Sequence, residues 1–320
     1  MARVFVTRQL PGGALDRLGA AHEVEVWAER MPPEPPQLRD KTAAAEALLT
    51  LLTDAVDASL LESAPRLKAI SNYAVGTDNV DLPAATARGI PVGNTPDVLT
   101  EATADLTLAL ILAAARRITE GDRYVRAGEW RTWEPGLLLG HDLSGATVGI
   151  VGHGRIGRAV GRRLQGFGCE LIYTSRGSDA PLTELLERAD FVTLHAPLTD
   201  DSRHLIGAAE LKRMKPTAHL VNTARGPLVD SDALARALAA GVLAGAALDV
   251  TDPEPLPGDH PLLDAPNLTV LPHLGSATHS AREAMAERAV DNLLAALSGE
   301  RMPFCANPEV YEERATRPAP

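Results

Sequence analysis

The chain has few cysteines, no long apolar run and no excess of basic residues. Its 320 residues include only two cysteines, Cys169 and Cys305, so we expect no disulfide framework and a cytoplasmic location. The longest largely apolar run, residues 106–115, is too short to cross a bilayer, and no signal-peptide pattern is present at the start. The formal net charge of −11 argues against nucleic acids and anionic membrane surfaces as partners.

Several catalytic and metal-binding motifs are also missing. None of the nine histidines stands in a His-x-His, His-Glu-x-x-His or Cys/His spacing, so no metal site is predicted. A nucleophilic hydrolase is disfavoured because the chain has no Gly-x-Ser-x-Gly elbow and no cysteine beside an activating partner. The composition, with 45% hydrophobic and 23% charged residues, is that of a globular protein long enough for two domains.

The first hundred residues predict an α/β unit with a parallel sheet. Apolar stretches alternate with helix-like or proline-rich segments, and the loops are expected at 32–36 and 71–81. A last short strand is expected within residues 89–96. The four other predicted strands are Val4–Val6, Val24–Val26, Ala47–Leu52 and Leu67–Ile70.

From Thr100 to Arg117 the pattern predicts a long helix that is apolar nearly all round, and therefore buried between domains or subunits. Residues 130–143 are expected to form a loop. Six further strands then alternate with helices at 156–167, 181–188, 208–213, 230–240 and 277–297, which is typical of a doubly wound sheet. The predicted strands are Val148–Val151, Leu171–Thr174, Phe191–Leu194, His219–Asn222, Gly245–Asp249 and Leu268–Leu271.

The first of these strands leads directly into a glycine-rich loop. Residues 148–157 read Val-Gly-Ile-Val-Gly-His-Gly-Arg-Ile-Gly, which contains the Rossmann pattern Gly152-x-Gly154-x-x-Gly157. These glycines permit a tight turn, a close approach to a pyrophosphate and close packing of the next helix. The N-terminus of that helix also favours phosphate binding. No role is assigned to His153 within the loop.

The residues after the next strand bear on the choice of cofactor. An NAD-selective site usually has Asp or Glu about 20 residues after the glycines, where it binds the ribose 2′-hydroxyl. This chain has Ser175 and Arg176 there, a hydroxyl and a guanidinium that suit a 2′-phosphate. NADP(H) is therefore the preferred prediction, and NAD(H) remains open because the less favoured alternative is that Arg176 is a solvated loop arginine.

Three residues that suit carboxylate binding and proton transfer follow successive strands of the same sheet. Arg225 could bind a carboxylate and polarise a keto oxygen, and His273 is suited to proton transfer near neutrality. Glu254 could orient the histidine and stabilise its charged form. Each has a plain structural alternative: a helix cap for Arg225, a solvated acid for Glu254 and a loop histidine for His273. Their shared position at the carboxyl edge of one nucleotide-binding sheet favours catalysis.

Together these segments resemble the D-2-hydroxyacid dehydrogenase family, most closely its glyoxylate/hydroxypyruvate reductase branch. The resemblance runs nearly end to end. It is carried by Asn72-Tyr-Ala-Val-Gly-Thr-Asp-Asn-Val-Asp81, Asn94-Thr-Pro-Asp-Val-Leu-Thr-Glu-Ala-Thr-Ala104, the glycine loop, His195-Ala-Pro-Leu-Thr199, Val221-Asn-Thr-Ala-Arg-Gly226, Asp252-Pro-Glu-Pro255 and Pro272-His-Leu-Gly-Ser-Ala-Thr278.

The resemblance implies a Rossmann cofactor domain inserted into a smaller flavodoxin-like α/β substrate domain. The substrate domain is then discontinuous, with residues 1–98 and 288–320, and the cofactor domain covers residues 99–287. A homodimer is also implied, with the helix at 101–117 near the subunit contact. The implied reaction is NAD(P)H-dependent reduction of glyoxylate or hydroxypyruvate to the D-2-hydroxy acid.

The resemblance also implies roles for individual residues. His273 is the acid/base, Glu254 its partner, and Arg225 binds the substrate carboxylate and keto oxygen. Val75 and Gly76 are expected to bind the substrate carboxylate through backbone amides. The residues implied to line the cofactor are Thr103, Gly152, Gly154, Arg155, Ile156, Gly157, Ser175, Arg176, His195, Pro197, Thr223 and Asp249.

Two other functions remain open at this point. One is another dehydrogenase of the same family, of the phosphoglycerate, D-lactate or formate type. The other is a corepressor-like protein that binds a dinucleotide without catalysis, against which the presence of Arg225, Glu254 and His273 argues. The stretch 130–137 looks shorter than in relatives, so the side chain preferred on the substrate stays undecided.

Overall fold

The computed structural model describes residues 1–175 and 181–312. The chain forms two compact units, one of Met1–Leu99 with Ala277–Pro320 and the other of Thr100–Ser276. The second unit is thus an insertion in the first. The division at 276/277 leaves the last long helix whole in the first unit, whereas the boundary expected at 287/288 would divide that helix.

The first unit is a five-stranded parallel sheet with the strand order β2-β1-β3-β4-β5, the flavodoxin-like order. Its strands are β1 Arg3–Val6, β2 Glu23–Val26, β3 Ala47–Thr50, β4 Ala69–Asn72 and β5 Val92–Gly93. Its helices are α1 Ala14–Ala21, α2 Pro35–Ala43, α3 Ala58–Ser63, α4 Leu82–Ala87 and α11 His279–Leu297. Fully buried aliphatic residues of β3 and β4 form much of the core, as expected of strands covered on both faces.

Two details of this unit differ from the sequence-based prediction. Helix α2 begins at Pro35, inside the segment expected to be a loop, because proline is tolerated in the first turn and Glu34 and Gln37 form a capping box. Strand β4 begins at Ala69, two residues later than predicted, because its pairing with β3 starts at that residue.

The second unit is a six-stranded parallel sheet with the order β11-β10-β9-β8-β6-β7. Its strands are β6 Thr147–Val151, β7 Glu170–Thr174, β8 Phe191–Leu194, β9 His219–Asn222, β10 Gly245–Leu248 and β11 Leu268–Val270. Its α-helices are α5 Thr100–Ala115, α6 Ile118–Arg126, α7 Arg155–Gln165, α8 Leu182–Arg188, α9 Ala208–Leu211 and α10 Ser231–Ala239. Short 3₁₀ turns cover Asp200–Ser202, Gly226–Leu228 and Pro261–Asp264. The strand order reverses between β6 and β8, which is where such sheets bind nucleotides.

The α/β class and the Rossmann architecture predicted from the sequence are confirmed. Helix α6 is an addition that the sequence did not predict. The expected single helix to Arg117 ends at Ala115, because Arg117 has a left-handed φ of 53° and the chain turns into α6. No residue of α6 is buried within the chain, and most of its residues are polar or charged.

Candidate active site

The three candidate catalytic residues follow three adjacent strands of the second sheet. Arg225 comes after β9, Glu254 after β10 and His273 after β11. Nδ1 of His273 lies 2.6 Å from Oε1 of Glu254, and both side chains are about one quarter to one third exposed. The histidine can therefore present its other nitrogen, Nε2, to a ligand while the carboxylate fixes the ring.

The loop that carries His273 is held by Asp249, the residue after β10. Its carboxylate accepts N–H bonds from Leu274 at 2.6 Å and from Gly275 at 2.7 Å, and its carbonyl accepts the N–H of His273 at 2.8 Å. The side chain is 1% exposed, and burial raises the pKa of Asp249 while the two N–H bonds oppose that shift. His273 has a φ of 57°, a strained conformation that these three bonds stabilise.

The loop that carries Arg225 is shaped by Asn222, the last residue of β9. The Asn222 side-chain amide donates to the Arg225 carbonyl at 2.8 Å, and its oxygen accepts the N–H of Ala224 at 3.0 Å. Gly226 lies so close to Thr251 that a Cβ there would stand 1.8 Å from the Thr251 carbonyl oxygen. Asn222 was not predicted to be a positioning residue, although an asparagine at the end of a strand is a recognisable signal for a local side chain–backbone turn.

Buried threonines of α5 connect these two loops. The hydroxyl of Thr103 donates to the Gly275 carbonyl at 3.1 Å, and the hydroxyls of Thr107 and Thr223 are 2.8 Å apart. All three threonines are less than 10% exposed. The hydroxyls of Thr103 and Thr223, residues predicted to line the cofactor, thus make internal hydrogen bonds that fix the surrounding backbone. Thr107 was not predicted at all.

His195 follows β8, at the same edge of the sheet. Burial lowers its pKa to about 3, so the imidazole is neutral at physiological pH. Its Nε2 lies 3.0 Å from the Thr193 hydroxyl. Two residues later the Pro197 carbonyl accepts a hydrogen bond from Ser202 at 2.8 Å, which tethers this segment next to the glycine loop.

The glycine loop has the geometry that a bound pyrophosphate requires. Gly152 has a φ of 104°, and a Cβ there would lie 2.6 Å from the His195 carbonyl carbon. A Cβ on Gly157 would lie 2.1 Å from the Gly152 carbonyl oxygen, so only glycine permits this close packing. Helix α7 begins at Arg155 after Gly154, which supplies no side-chain cap, so Arg155 and Ile156 lie in a first turn whose N–H groups have no partner within the helix.

The end of β7 is the predicted position of the adenosine ribose. Ser175 is exposed and directly follows β7. Arg176, which was predicted to bind a 2′-phosphate, lies outside the described residues.

The first unit contains the two residues predicted to bind a carboxylate. The Val75 carbonyl accepts a bond from the Asn94 amide at 2.9 Å, and the Gly76 carbonyl accepts one from the Asn72 amide, also at 2.9 Å. Within residues 1–175 and 181–312 the N–H groups of Val75 and Gly76 make no hydrogen bond. Two asparagines that the sequence analysis did not single out therefore fix a pair of half-buried peptides with available donors.

Two other structural features were looked for in the molecule's described residues, a metal centre and a membrane span. The described residues contain no group of three or more His, Cys, Asp or Glu side chains arranged to bind a metal ion. None of the helices in the described part of the chain combines the length and the apolar character needed to span a membrane.

Comparison with known proteins identifies the family of the chain. Residues 108–275 match the family described as D-isomer specific 2-hydroxyacid dehydrogenase, NAD binding domain. A glyoxylate reductase of Korarchaeum cryptofilum is 48% identical, with 98% of each chain covered. The crystal structure of a Thermus thermophilus protein has a TM-score of 0.89 and 51% identity, and the match covers 95% of this chain and 99% of that one.

A solved structure with cofactor is also similar. It is an NADPH-dependent glyoxylate/hydroxypyruvate reductase of Sinorhizobium meliloti in complex with NADP and malonate. Its TM-score is 0.82 at 32% identity, and the match covers 96% of this chain and 97% of the other. With this agreement over nearly its full length, the chain belongs to the D-isomer specific 2-hydroxyacid dehydrogenase family.

Proposed function

We propose that this enzyme is a glyoxylate reductase that also accepts hydroxypyruvate and forms the corresponding D-2-hydroxy acids. The observation that carries the proposal is the His273–Glu254 pair, 2.6 Å apart, in which the loop of His273 is held in a strained conformation by Asp249. Relatives called glyoxylate reductase are 45–48% identical over nearly the whole chain, which supports this substrate class.

In the proposed reaction His273 is the proton donor. When bound, the reduced nicotinamide supplies a hydride, which forms the new C–H bond at the carbonyl carbon of the substrate. Nε2 of His273 gives its proton to the carbonyl oxygen, so the keto group becomes a hydroxyl. Glu254 accepts the Nδ1–H of the ring and stabilises its charged form. Solvent returns the proton to the histidine after each turnover.

The substrate carboxylate is proposed to be recognised by two kinds of donor. The N–H groups of Val75 and Gly76 suit a carboxylate, because the backbone of these two residues is fixed through their carbonyl groups by asparagine side chains. Arg225 is proposed to bind the carboxylate and to stabilise the charge that develops on the keto oxygen. The Asn222 contacts to its backbone hold this arginine at the end of β9.

The cofactor is proposed to be NADP(H) in preference to NAD(H). The glycine loop suits a pyrophosphate, and Arg155 and Ile156 begin the helix that would bind it. Ser175 after β7 and the adjacent Arg176 suit a 2′-phosphate better than a 2′-hydroxyl. His195, Pro197, Thr103, Thr223 and Asp249 are proposed to line the rest of the cofactor, the last three by fixing backbone there.

A homodimer is proposed from the surface of the second unit. Ile118 and Val125 of α6 are 55% and 53% exposed, and Trp130, Trp133 and Leu139 in the following loop are 59%, 79% and 68% exposed. Apolar side chains exposed in such a cluster indicate a protein interface. Sedimentation equilibrium at micromolar concentration tests this proposal, and a monomer mass would refute it.

The function is tested by steady-state kinetics with glyoxylate and hydroxypyruvate, each with NADPH and with NADH. Reduction of both keto acids is expected, with NADPH preferred by at least about tenfold in kcat/KM, or ~1.4 kcal/mol. His273→Ala should lower kcat by about 10²- to 10⁴-fold. Turnover of this variant within a few-fold of the wild type would refute the assignment, and dinucleotide binding without any keto-acid reduction would favour a non-catalytic role.

A further inference from the structure

One exposed side chain of the glycine loop, His153, takes no part in binding a pyrophosphate through backbone amides. Its carbonyl accepts a hydrogen bond from Arg158 at 2.9 Å, so its backbone is fixed. Neither ring nitrogen makes a hydrogen bond to any residue among 1–175 and 181–312. The imidazole is exposed at the surface of the loop, where its ring nitrogens bond no residue in the described part of the chain.

The strand register places His153 beside the end of β7. Val151 of β6 pairs with Thr174 of β7, and the N–H of Gly152 donates to the Thr174 carbonyl at 2.8 Å. His153 and Ser175 are the next residues to leave the sheet, at the same edge. This is the position where a dinucleotide fold binds the adenosine ribose.

The orientation of the imidazole is set by Tyr173. The two ring centroids are 4.4 Å apart at an interplanar angle of 36°. Tyr173 is itself fixed against α7, where a Cβ on Gly161 would lie 2.0 Å from the tyrosine hydroxyl. The imidazole therefore rests on a fixed surface, so little conformational entropy would be lost when it binds a ligand.

The charge around His153 suits an anion. Arg158 reaches the His153 carbonyl with its guanidinium, and Arg158 and Arg155 are both exposed in the first turns of α7. The N-terminus of this eleven-residue helix adds a partial positive charge. A histidine beside the ribose position can donate a charge-assisted hydrogen bond to a 2′-phosphate and a weaker neutral one to a 2′-hydroxyl.

We propose that His153 is a further cofactor-selecting residue, which donates a ring N–H to the 2′-phosphate of the adenosine moiety. This inference rests on the proposed preference for NADP(H) and assigns part of it to the glycine loop, in addition to Ser175 and Arg176. The contact of the tilted imidazole with the Tyr173 ring and the register between β6 and β7 carry the inference.

The test is calorimetric binding of two fragments that differ only in the 2′-phosphate, adenosine 2′,5′-bisphosphate and adenosine 5′-monophosphate. His153→Leu should weaken binding of the bisphosphate by about tenfold and leave the monophosphate unchanged. His153→Gln retains an N–H donor at similar reach and should recover part of the loss. The kcat/KM ratio of NADPH to NADH should fall in parallel.

The matched control is His141→Leu, the same substitution in the same unit. The His141 ring contacts His219, the first residue of β9, at the opposite edge of the sheet, so neither fragment should be affected. Equal weakening of both fragments by His153→Leu, or weakening of neither, would overturn the inference. If the wild type itself binds both fragments equally, the proposed NADP(H) preference fails as well, and keto-acid reduction can still be measured with NADH.

Discussion

Replacement of Asp249 by asparagine tests whether the position of the loop that carries His273 controls the reaction rate. The two carboxylate oxygens of Asp249 accept the N–H groups of Leu274 and Gly275 at 2.6 and 2.7 Å, at a site that is 1% exposed. Asparagine has nearly the same shape but one acceptor, so one buried N–H would face an NH₂ group. The His273 side chain and its Glu254 partner are both retained in this variant.

The expected loss follows from the hydrogen bonds. One charge-assisted bond is lost and one buried donor is left unsatisfied, together about 3 kcal/mol of unfolding free energy. The left-handed conformation of His273 stores strain of about 1 kcal/mol, which a loosened loop would release by moving the imidazole. A displacement of about 1 Å at a reacting group lowers kcat by about 100-fold.

The assay pairs urea unfolding, followed by circular dichroism, with steady-state kcat for glyoxylate. Asp190→Asn is the matched control, because Asp190 also accepts a backbone N–H, from Thr147 at 2.9 Å, but lies at the start of β8. Its ion pair with Lys215 is about one third exposed, so a loss of about 1 kcal/mol is expected. Its kcat should be unchanged. Wild-type kcat in a destabilised Asp249→Asn enzyme would refute the positioning role.

Three further predictions concern single side chains. Glu254→Gln should lower kcat about 10- to 100-fold with little change in KM, since the partner of His273 keeps its shape and loses its charge; an unchanged kcat would contradict the pairing. Burial lowers the pKa of His219 to about 4, so the unfolded chain, where the pKa is near 6.5, takes up the proton first on acidification. The contribution of this site to the free energy of unfolding is present above about pH 6.5 and is about 1 kcal/mol smaller at pH 5.5 than at pH 7. His219→Phe should abolish this difference when urea titrations are carried out at the two pH values. Gly226→Ala should cost about 3 kcal/mol or more, because its Cβ would overlap the Thr251 carbonyl; a wild-type melting temperature would show that the loop moves freely.

The sequence predicted the elements of both units well wherever burial leaves a pattern. Strands such as β6 and β8 are continuous apolar runs because both faces are covered, and they were found within one residue. Helix α6 was missed because none of its residues is buried, and α2 was obscured by Pro35 and Pro36 in its first turn. Local sequence patterns detect faces that are buried. Helix α2 instead begins with a capping box, and α6 follows the left-handed backbone turn at Arg117.

The residues of the candidate site could be predicted from the sequence only in part, for a different reason. Arg225, Glu254 and His273 could be named from the chain because each follows a predicted strand. The hydrogen bond of Thr103 to Gly275 and the hydrogen bonds by which Asp249 holds the loop of His273 could not be predicted. Their partner, Gly275, is 172 residues from Thr103 and 26 from Asp249, and no local signal encodes a pairing across such separations.

By itself the sequence determined the classes of element, the glycine loop and the residue types able to bind a carboxylate or transfer a proton. These features depend on local periodicity and on the fixed chemistry of side chains, whereas the insertion of one unit into the other was implied by the family resemblance. Only the tertiary structure decided that His273 meets Glu254 at 2.6 Å, that Asp249 holds the loop that carries His273 and that His153 contacts Tyr173 beside the end of β7. Such distances arise from strand order and register, which bring remote residues to one edge of a sheet.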